Sequence, residues 1–291
     1  MNWVPLLFID AVCHHLRKPT LSQVSQLSGS WSKFGAEHRK KRRELKFRCE
    51  MNRSQEVSYC LWETDWLYRE VTVADLNLEF DRITSFECGY ASSKNHGHSR
   101  LDNHVSLLKF EREILPTIAP HVMNCSLYLH AWRSAQNQIF FKALKNCSGF
   151  NAITVPGQGE GSREFIARQV ELGNIQTLTL SGTGRKWPEL EKLGETLKKF
   201  VSSTRFHALN SPDVRGDDCA LFELFLERAL AKELKRGAYI SASGTNFDRN
   251  RLIALRPECR HDSEKNAWRI PDSNLRLKLY YPTGLLELEV E

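Results

Sequence analysis

The sequence predicts an α/β fold, with a small helical domain at the N-terminus followed by strand–helix units that stack into a solenoid with a parallel sheet. Two observations favour this fold: one strand–turn–helix pattern occurs twice between residues 150 and 210, and two short apolar helices fill residues 4–31. The chain has 291 residues, 41% hydrophobic and 26% charged, which is typical of a globular protein with a sizeable core. We expect the helical domain over residues 1–45 and the solenoid over residues 46–291.

The repeated unit is clearest in its first copy. Residues 150–155 alternate between apolar and polar side chains, as a half-buried strand does. A glycine-rich turn at 156–161 leads into a helix over 162–172, and Gly173 follows as a C-cap. The same order of elements begins again at Ile175.

Strand starts about 25 to 30 residues apart are typical of leucine-rich-type repeats. One strand and one helix cannot cover their own apolar face, whereas stacked copies bury a continuous core. We therefore expect five strands to lie parallel and in chain order, beginning near Cys125, Phe150, Ile175, Phe206 and Tyr239. An ordinary α/β domain with units that look alike is the alternative.

The N-terminal helices have wide apolar stripes. Val4-Pro5 opens the first helix, where the missing N–H of proline is tolerated. Its apolar positions are Phe8, Ile9, Val12 and Leu16. Beyond Pro19, the second helix carries Leu21, Val24 and Leu27, and Trp31 follows. Stripes of this width favour a surface that meets a partner.

This segment resembles the F-box over roughly its first 45 residues. That family begins with an aliphatic–proline pair, which Val4-Pro5 matches, and then carries an apolar first helix. Its second half has a leucine, two aliphatics at a spacing of three, and a tryptophan, as do Leu21, Val24, Leu27 and Trp31 here. Leu7 and Ser28 depart from the family, which usually has an acidic residue and often a cysteine at these positions.

An F-box followed by leucine-rich-type repeats is similar to the large nematode families of F-box proteins. In those families the F-box docks a Skp-type adaptor of a cullin–RING ubiquitin ligase. The resemblance implies a non-catalytic subunit, cytoplasmic and/or nuclear, whose repeats recruit a target protein. The adaptor-binding residues that it implies are Val4, Pro5, Leu6, Phe8, Ile9, Val12, Leu16, Leu21, Val24, Leu27 and Trp31. A plain helical cap for the solenoid is the alternative interpretation.

A basic run carries much of the net charge of +6. Its residues Arg39, Lys40, Lys41, Arg42 and Arg43 could bind anions, act as a nuclear-import signal, or form the solvated end of a helix. We expect them to be largely exposed, so that alanine in place of residues 40–43 leaves folding intact. The alternative function is a nuclear module that binds nucleic acid or protein through residues 38–48, without a ligase link. Nucleic acid is disfavoured because no aromatic stacking platform is interleaved with the run Arg39–Arg43.

The middle of the chain predicts strands, with loop-like residues at 91–104. Short β-prone runs occur at 45–49, 57–62, 68–73 and 83–88. They fit either irregular first repeats or a small separate sheet. A helix interrupted by Pro116 and Pro120 follows. Near the C-terminus, alternating strands at 275–280 and 285–290 predict a unit that caps the repeats.

Other motifs give no sign of catalysis. Gly157, Gly159 and Gly161 lack the spacing of a nucleotide-binding loop. His96, His98 and His104 lack the spacing of zinc ligands, and the eight cysteines are scattered, as in a reduced protein. The apolar run before Asp10 is too short to cross a membrane. We therefore expect no enzyme activity, metal, cofactor or membrane, with an enzyme of unrecognised site as a third hypothesis.

Overall fold

The computed structural model describes residues 4–52, 54, 56–64, 69–90, 103–129, 134–156, 160–181, 190–211, 219–243, 260–262, 267–269, 275–280 and 285–290. The fold is α/β, and the chain divides into two compact units, residues 1–126 and 127–291. The sequence predicts a division near residue 45. The strands that follow the N-terminal helices instead cluster with those helices in unit 1.

Three helices open unit 1. They are α1 (Leu6–His15), α2 (Lys18–Val24) and α3 (Ser30–Lys41). The first two confirm the predicted helices, and Pro5 caps α1 by accepting hydrogen bonds from the backbone N–H groups of Phe8 and Ile9. The helices close around buried Ile9, Cys13 and Leu21. Partly buried side chains pack against this core: Val4, Leu16, Val24, Trp31 and Phe34.

A mixed sheet follows in unit 1. Its strands are β1 (Arg43–Met51), β2 (Glu56–Glu63), β3 (Asp81–Tyr90) and β4 (Asn103–Ser106). β1 lies between β2, which is antiparallel to it, and β3, which is parallel to it. β4 pairs with the other side of β2. Three of the four predicted strands in this region are thereby confirmed.

The prediction of a strand at 68–73 is wrong over residues 69–73, the part of it that the structure describes. Glu70 makes only an isolated bridge with Trp62, and Val73–Asp75 is a single 3-10 turn. The segment lies beside β2 only as far as Val71, which is buried. The Thr72 hydroxyl then donates a hydrogen bond to the Asp75 carboxylate, which favours the turn. The loop predicted at 91–104 ends earlier, because residues 103 and 104 belong to β4; residues 91–102 lie outside the described residues.

The proline-interrupted helix is confirmed. It consists of α4 (Leu107–Lys109), a π turn (Phe110–Ile114), α5 (Leu115–Ile118) and a 3-10 turn (Ala119–His121). Because proline has no N–H, Pro116 and Pro120 each remove a helical hydrogen bond and break the regular pattern. β5 (Val122–Leu129) follows, and the division between the two units falls within it.

The repeated unit appears in unit 2 as predicted. Its parallel strands are β6 (Phe150–Pro156), β7 (Thr177–Ser181), β8 (Ala208–Ser211) and β9 (Tyr239–Ser243), side by side in chain order. Its helices are α6 (Ser134–Leu144), α7 (Glu160–Leu172), α8 (Leu190–Val201) and α9 (Cys219–Leu230). Gly173, with φ of 71°, ends α7 as a C-cap.

The parallel strands have one apolar and one polar face. Buried Ile153, Leu178, Leu209 and Ile240 face one another in register and form the apolar row. Successive side chains on a strand alternate between faces, so the next register row lies on the opposite face. That polar row is Thr154, Thr179, Asn210 and Ser241. Because consecutive parallel strands are joined by right-handed crossovers in nearly all proteins, we expect α7, α8 and α9 to lie on one side of the sheet, against the apolar row.

Antiparallel strands end unit 2. β13 (Leu285–Val290) pairs with β9, and β12 (Leu275–Tyr280), β11 (Ala267–Arg269) and β10 (Arg260–Asp262) follow outward. Both strands predicted near the C-terminus are confirmed. A different terminal element covers the side of β9 that the parallel repeat leaves unpaired.

Replacing Gly35 with alanine is expected to destabilise unit 1. A Cβ at this position would lie 2.8 Å from the Ser25 backbone nitrogen and 2.9 Å from Val24 Cγ1, so α2 and α3 would have to separate. Overpacking of this kind typically costs about 1 to 3 kcal/mol. Gly194→Ala in α8 is the matched control, because its Cβ would meet nothing within 4 Å. The control is expected to stabilise the chain by roughly 0.5–1 kcal/mol. Urea unfolding measures both, and equal stability of the two variants would contradict the packing.

Candidate protein-docking surface

Consecutive large apolar side chains are exposed at the start of α1. Leu6, Leu7 and Phe8 are 56%, 84% and 55% exposed, and we call these three residues the docking patch. Among the described residues, the other exposed large hydrophobics are Leu27, Leu78, Leu108 and Tyr128. Single exposed apolar residues are normal on a protein surface, whereas three in succession point to a surface that a partner covers.

The docking patch is held by the core beneath it. Phe8 lies edge-on to Trp31, with ring centroids 6.5 Å apart, and Trp31 packs on the Ile9–Cys13–Leu21 core. The patch therefore sits on a closed helical segment and not on a frayed end. Truncating its side chains removes surface contacts and leaves the core filled.

The structure divides the predicted adaptor-binding residues by exposure. Pro5, Leu6, Phe8 and Leu27 are exposed, Ile9 and Leu21 are buried, and Val4, Val12, Leu16, Val24 and Trp31 are intermediate. Ile9 cannot offer its side chain to a partner as an implied adaptor-binding residue should, because it packs against Cys13 and Leu21. Leu7 was not among the predicted residues. A signal was present in the sequence, since a leucine stands where the F-box family usually has an acidic residue.

Two arginines fix the C-terminal end of α1. Arg42 donates from Nη1 to the His14 carbonyl and from Nη2 to the Cys13 carbonyl, both at 3.0 Å. Arg82 donates to the same His14 carbonyl and, at 2.7 Å, to His14 Nδ1. The last carbonyls of a helix have no intrahelical partner and carry partial negative charge, so guanidinium groups stabilise them. Because Arg82 comes from β3, the sheet positions the helix that carries the docking patch.

His38 extends this network. Its Nε2 lies 2.7 Å from Asp10 Oδ1, and its Nδ1 lies 3.2 Å from Arg42 Nη2. A guanidinium can only donate, so Nδ1 accepts and Nε2 carries the proton that is donated to Asp10. Burial lowers the pKa of Arg42, and burial followed by repulsion from Arg42 lowers the pKa of Arg82 to about 10. The helices and the sheet thus share one buried polar network.

The basic run is only partly exposed. Arg39, Lys40 and Lys41 are exposed in the last turn of α3, as predicted, but Arg42 is 2% exposed and Arg43 is half-buried. Arg43 donates from Nε to the fully buried carboxylate of Asp81 at 2.7 Å. The run crosses from α3 into β1, and this change of direction turns its last two side chains inward. The expectation that the run is largely exposed is therefore wrong for these two residues, and alanine at 40–43 together would remove structural contacts.

The other candidate motifs form no site. Among the described residues, no group of three or more His, Cys, Asp or Glu side chains is arranged to hold a metal ion. His104 hydrogen-bonds Ser58 at 2.8 Å, and Gly161 lies in the first turn of α7. His96, His98, Gly157 and Gly159 lie outside the described residues. None of the helices described here has the length and apolar character needed to span a bilayer.

The described residues define an α/β protein with three consecutive exposed apolar side chains at the start of its first helix. No protein-family model matches the sequence, and a search of curated proteins gives no significant match.

Unit 1 is expected to lose stability as the pH falls from about 6.5 to about 4. Burial, and next the positive charge of Arg82, lower the pKa of His14 from 6.5 to about 4. Between these values the unfolded chain binds a proton that the folded chain excludes, so acid favours unfolding. His121 contributes with the same sign, since burial lowers its pKa too.

Urea midpoints measured across this range test the effect of His14. His14→Asn keeps a side-chain acceptor near Arg82 but cannot titrate, so its stability should depend less on pH. Exposed His15→Asn is the control and should keep the slope of the wild type. Identical slopes for the wild type and His14→Asn would contradict the assignment.

Proposed function

We propose that this chain is a non-catalytic substrate-recognition subunit of a Skp–cullin–F-box ubiquitin ligase. The observation that carries the proposal is the docking patch, three consecutive exposed apolar side chains on a helical segment whose core is already filled. Covering apolar surface stabilises a complex by about 25 cal/mol per Å² before the costs of association. The patch therefore favours a protein partner.

The partner that fits the sequence pattern is a Skp-type adaptor. Val4-Pro5 precedes α1, as the F-box resemblance implies, whereas Leu21 and Trp31 pack in the helical core and support the surface from within. The adaptor would contact Leu6, Leu7 and Phe8, with buried Ile9 acting only as support. The cullin would be reached through the adaptor and not by direct contact.

Unit 2 would recruit the target protein. Its parallel strands support a leucine-rich-type solenoid in which helices cover one face of the sheet. On the other face, the partly exposed members of the polar row, Thr154, Thr179 and Asn210, would meet the target, whereas Ser241 is buried. Recruitment would work by proximity, because tethering raises the effective concentration of the target at the ligase. The chain would act without a cofactor, in the cytoplasm and/or the nucleus.

The rival function, nucleic-acid binding through the basic run, is disfavoured by the positions of the side chains. Arg42 and Arg43 are engaged with protein groups, and Lys41 pairs with Glu37 at 2.7 Å. Two exposed cations at Arg39 and Lys40 would release few counterions, so they would give weak binding.

Affinity purification from a nematode lysate tests the proposal. The wild type is expected to recover a Skp-type adaptor and a cullin, whereas a Leu7→Asp, Phe8→Asp variant should lose both. Proteins retained by both baits are candidate targets of unit 2, because that unit is unchanged in the variant. Equal recovery of the adaptor by both baits, or by neither, would contradict the proposal.

A further inference from the structure

Two buried thiols face each other across neighbouring strands of unit 1. Cys49 of β1 and Cys88 of β3 are register partners in the parallel pair, and their Sγ atoms lie 3.2 Å apart. Both side chains are buried, at 1% and 5% exposure. This separation is close for two non-bonded sulfur atoms, and it places the two thiols within hydrogen-bonding distance of each other.

The strand spacing allows a covalent bond between them. Neighbouring strands lie about 4.8 Å apart, within the range of about 4.4 to 6.8 Å between the Cα atoms of disulfide-bonded cysteines. No neighbouring backbone has to be crossed, because the two cysteines are direct register partners. Only the two side-chain torsions need to change to bring the sulfur atoms into bonding distance.

We propose that Cys49 and Cys88 form a modification site, at which hydrogen peroxide converts the two thiols into a disulfide that joins β1 to β3. In the first step, the thiolate of one cysteine attacks a peroxide oxygen, the O–O bond breaks, and a sulfenic acid and hydroxide form. In the second, the other thiol attacks the sulfenic sulfur and displaces water. The proton of the first thiol is taken up by hydroxide, so two thiols and one peroxide give one disulfide and two waters.

Burial sets the rate of this reaction. It raises the pKa of Cys88 well above its usual value, and the hydrogen bond with Cys49 acts in the same direction. The reactive thiolate is therefore scarce, and oxidation should be slower than that of an exposed thiol and faster at higher pH. Peroxide is little larger than water, so a small local opening of the strands admits it.

Two other buried cysteines in unit 1 provide internal comparisons. Cys60 is the register partner of Arg48, so its side chain points to the opposite face of the sheet from Cys49. Cys125 lies near enough to Cys88 to raise its pKa by charge repulsion. Cys88 should nevertheless form the disulfide with Cys49 and not with Cys125, because the Cys49 Sγ lies 3.2 Å from the Cys88 Sγ.

The test treats the folded full-length chain with hydrogen peroxide, blocks the remaining thiols with N-ethylmaleimide in denaturant, and maps disulfides by mass spectrometry without reduction. A Cys49–Cys88 peptide pair that dithiothreitol separates is the expected product. Cys60→Ser should form the same bond, and Cys49→Ser should not. Amide exchange in β1 and β3 should slow by about tenfold or more on oxidation, because the bond restricts opening.

Three results would overturn the inference. The first is that Cys49 and Cys88 are found in separate alkylated peptides after peroxide treatment. The second is a disulfide from Cys88 to Cys125. The third is that the folded and the denatured chain give the same mixture of disulfide-bonded cysteine pairs. The measurement on the wild type is decisive by itself, so the outcome does not depend on the folding of any variant. The inference is also independent of the proposed function, because it concerns only the two strands.

Discussion

Replacing Arg42 with alanine is expected to destabilise unit 1 by about 3 kcal/mol or more, because it removes every donor that Arg42 supplies to buried acceptors. The Cys13 and His14 carbonyls would lose Arg42 as a donor, and His38 Nδ1 would be left without one. Part of this loss of stability is offset, because the variant avoids the free-energy cost of burying the Arg42 charge. Arg42 Nε adds to that cost in the wild type, since it is buried without a hydrogen bond. The lost contacts are the larger effect, since they fix the end of α1.

Lys40→Ala is the matched control for this prediction. It lies two residues away in the same basic run, but its side chain is exposed, so the change should stay within about 0.5 kcal/mol. Hydrogen exchange measured by mass spectrometry localises the effect, and peptides from α1 and β1 should exchange faster in Arg42→Ala only. Equal exchange in the two variants would mean that the buried network does not support the helix.

Replacing Leu7 and Phe8 with alanine is expected to weaken adaptor binding by about tenfold or more, because each truncated anchor typically costs about 2 kcal/mol at an interface. Both side chains are more than half exposed, so the fold should be unaffected. An Ile9→Ala variant would be a poor probe of the surface, since it opens a cavity in the helical core.

The control for the docking patch comes from the same unit. Leu78 and Leu108 are 59% and 55% exposed, close to the exposure of Phe8, and lie far from the patch in sequence. Leu78→Ala with Leu108→Ala removes similar apolar surface and should leave adaptor affinity unchanged. A similar loss of affinity in both double variants would show that nonspecific apolar contacts, and not the docking patch, account for binding.

The strands, helix ends and helices that depend on a few adjacent residues could be predicted from the sequence. The alternation in β6 and β7 and the C-cap at Gly173 were readable because each depends on a few adjacent residues. Their repetition also gave the parallel order of β6 to β9. The first two helices were predicted for the same reason, since their apolar stripes have helical spacing.

Features that depend on tertiary contacts were not readable. Lys40 and Arg42 look equivalent in sequence, yet one is exposed and the other buried, because the chain turns from α3 into β1 between them. The partner of His14, Arg82, lies 68 residues away. The Cys49–Cys88 pair likewise depends on β1 being parallel to β3 while β2 lies on its other side. None of these contacts has a short-range sequence signal.

Isothermal titration calorimetry of the full-length chain with a purified Skp-type adaptor tests the central claim, which is that this chain binds such an adaptor. We expect saturable one-to-one binding at about 1 μM or tighter, since a docked helical segment with apolar anchors forms a specific interface. The Leu7→Ala, Phe8→Ala variant should bind more weakly and the Leu78→Ala, Leu108→Ala variant as well as the wild type. An absence of heat and of co-elution with the wild type would contradict the ligase role and leave the patch as the surface for a different protein.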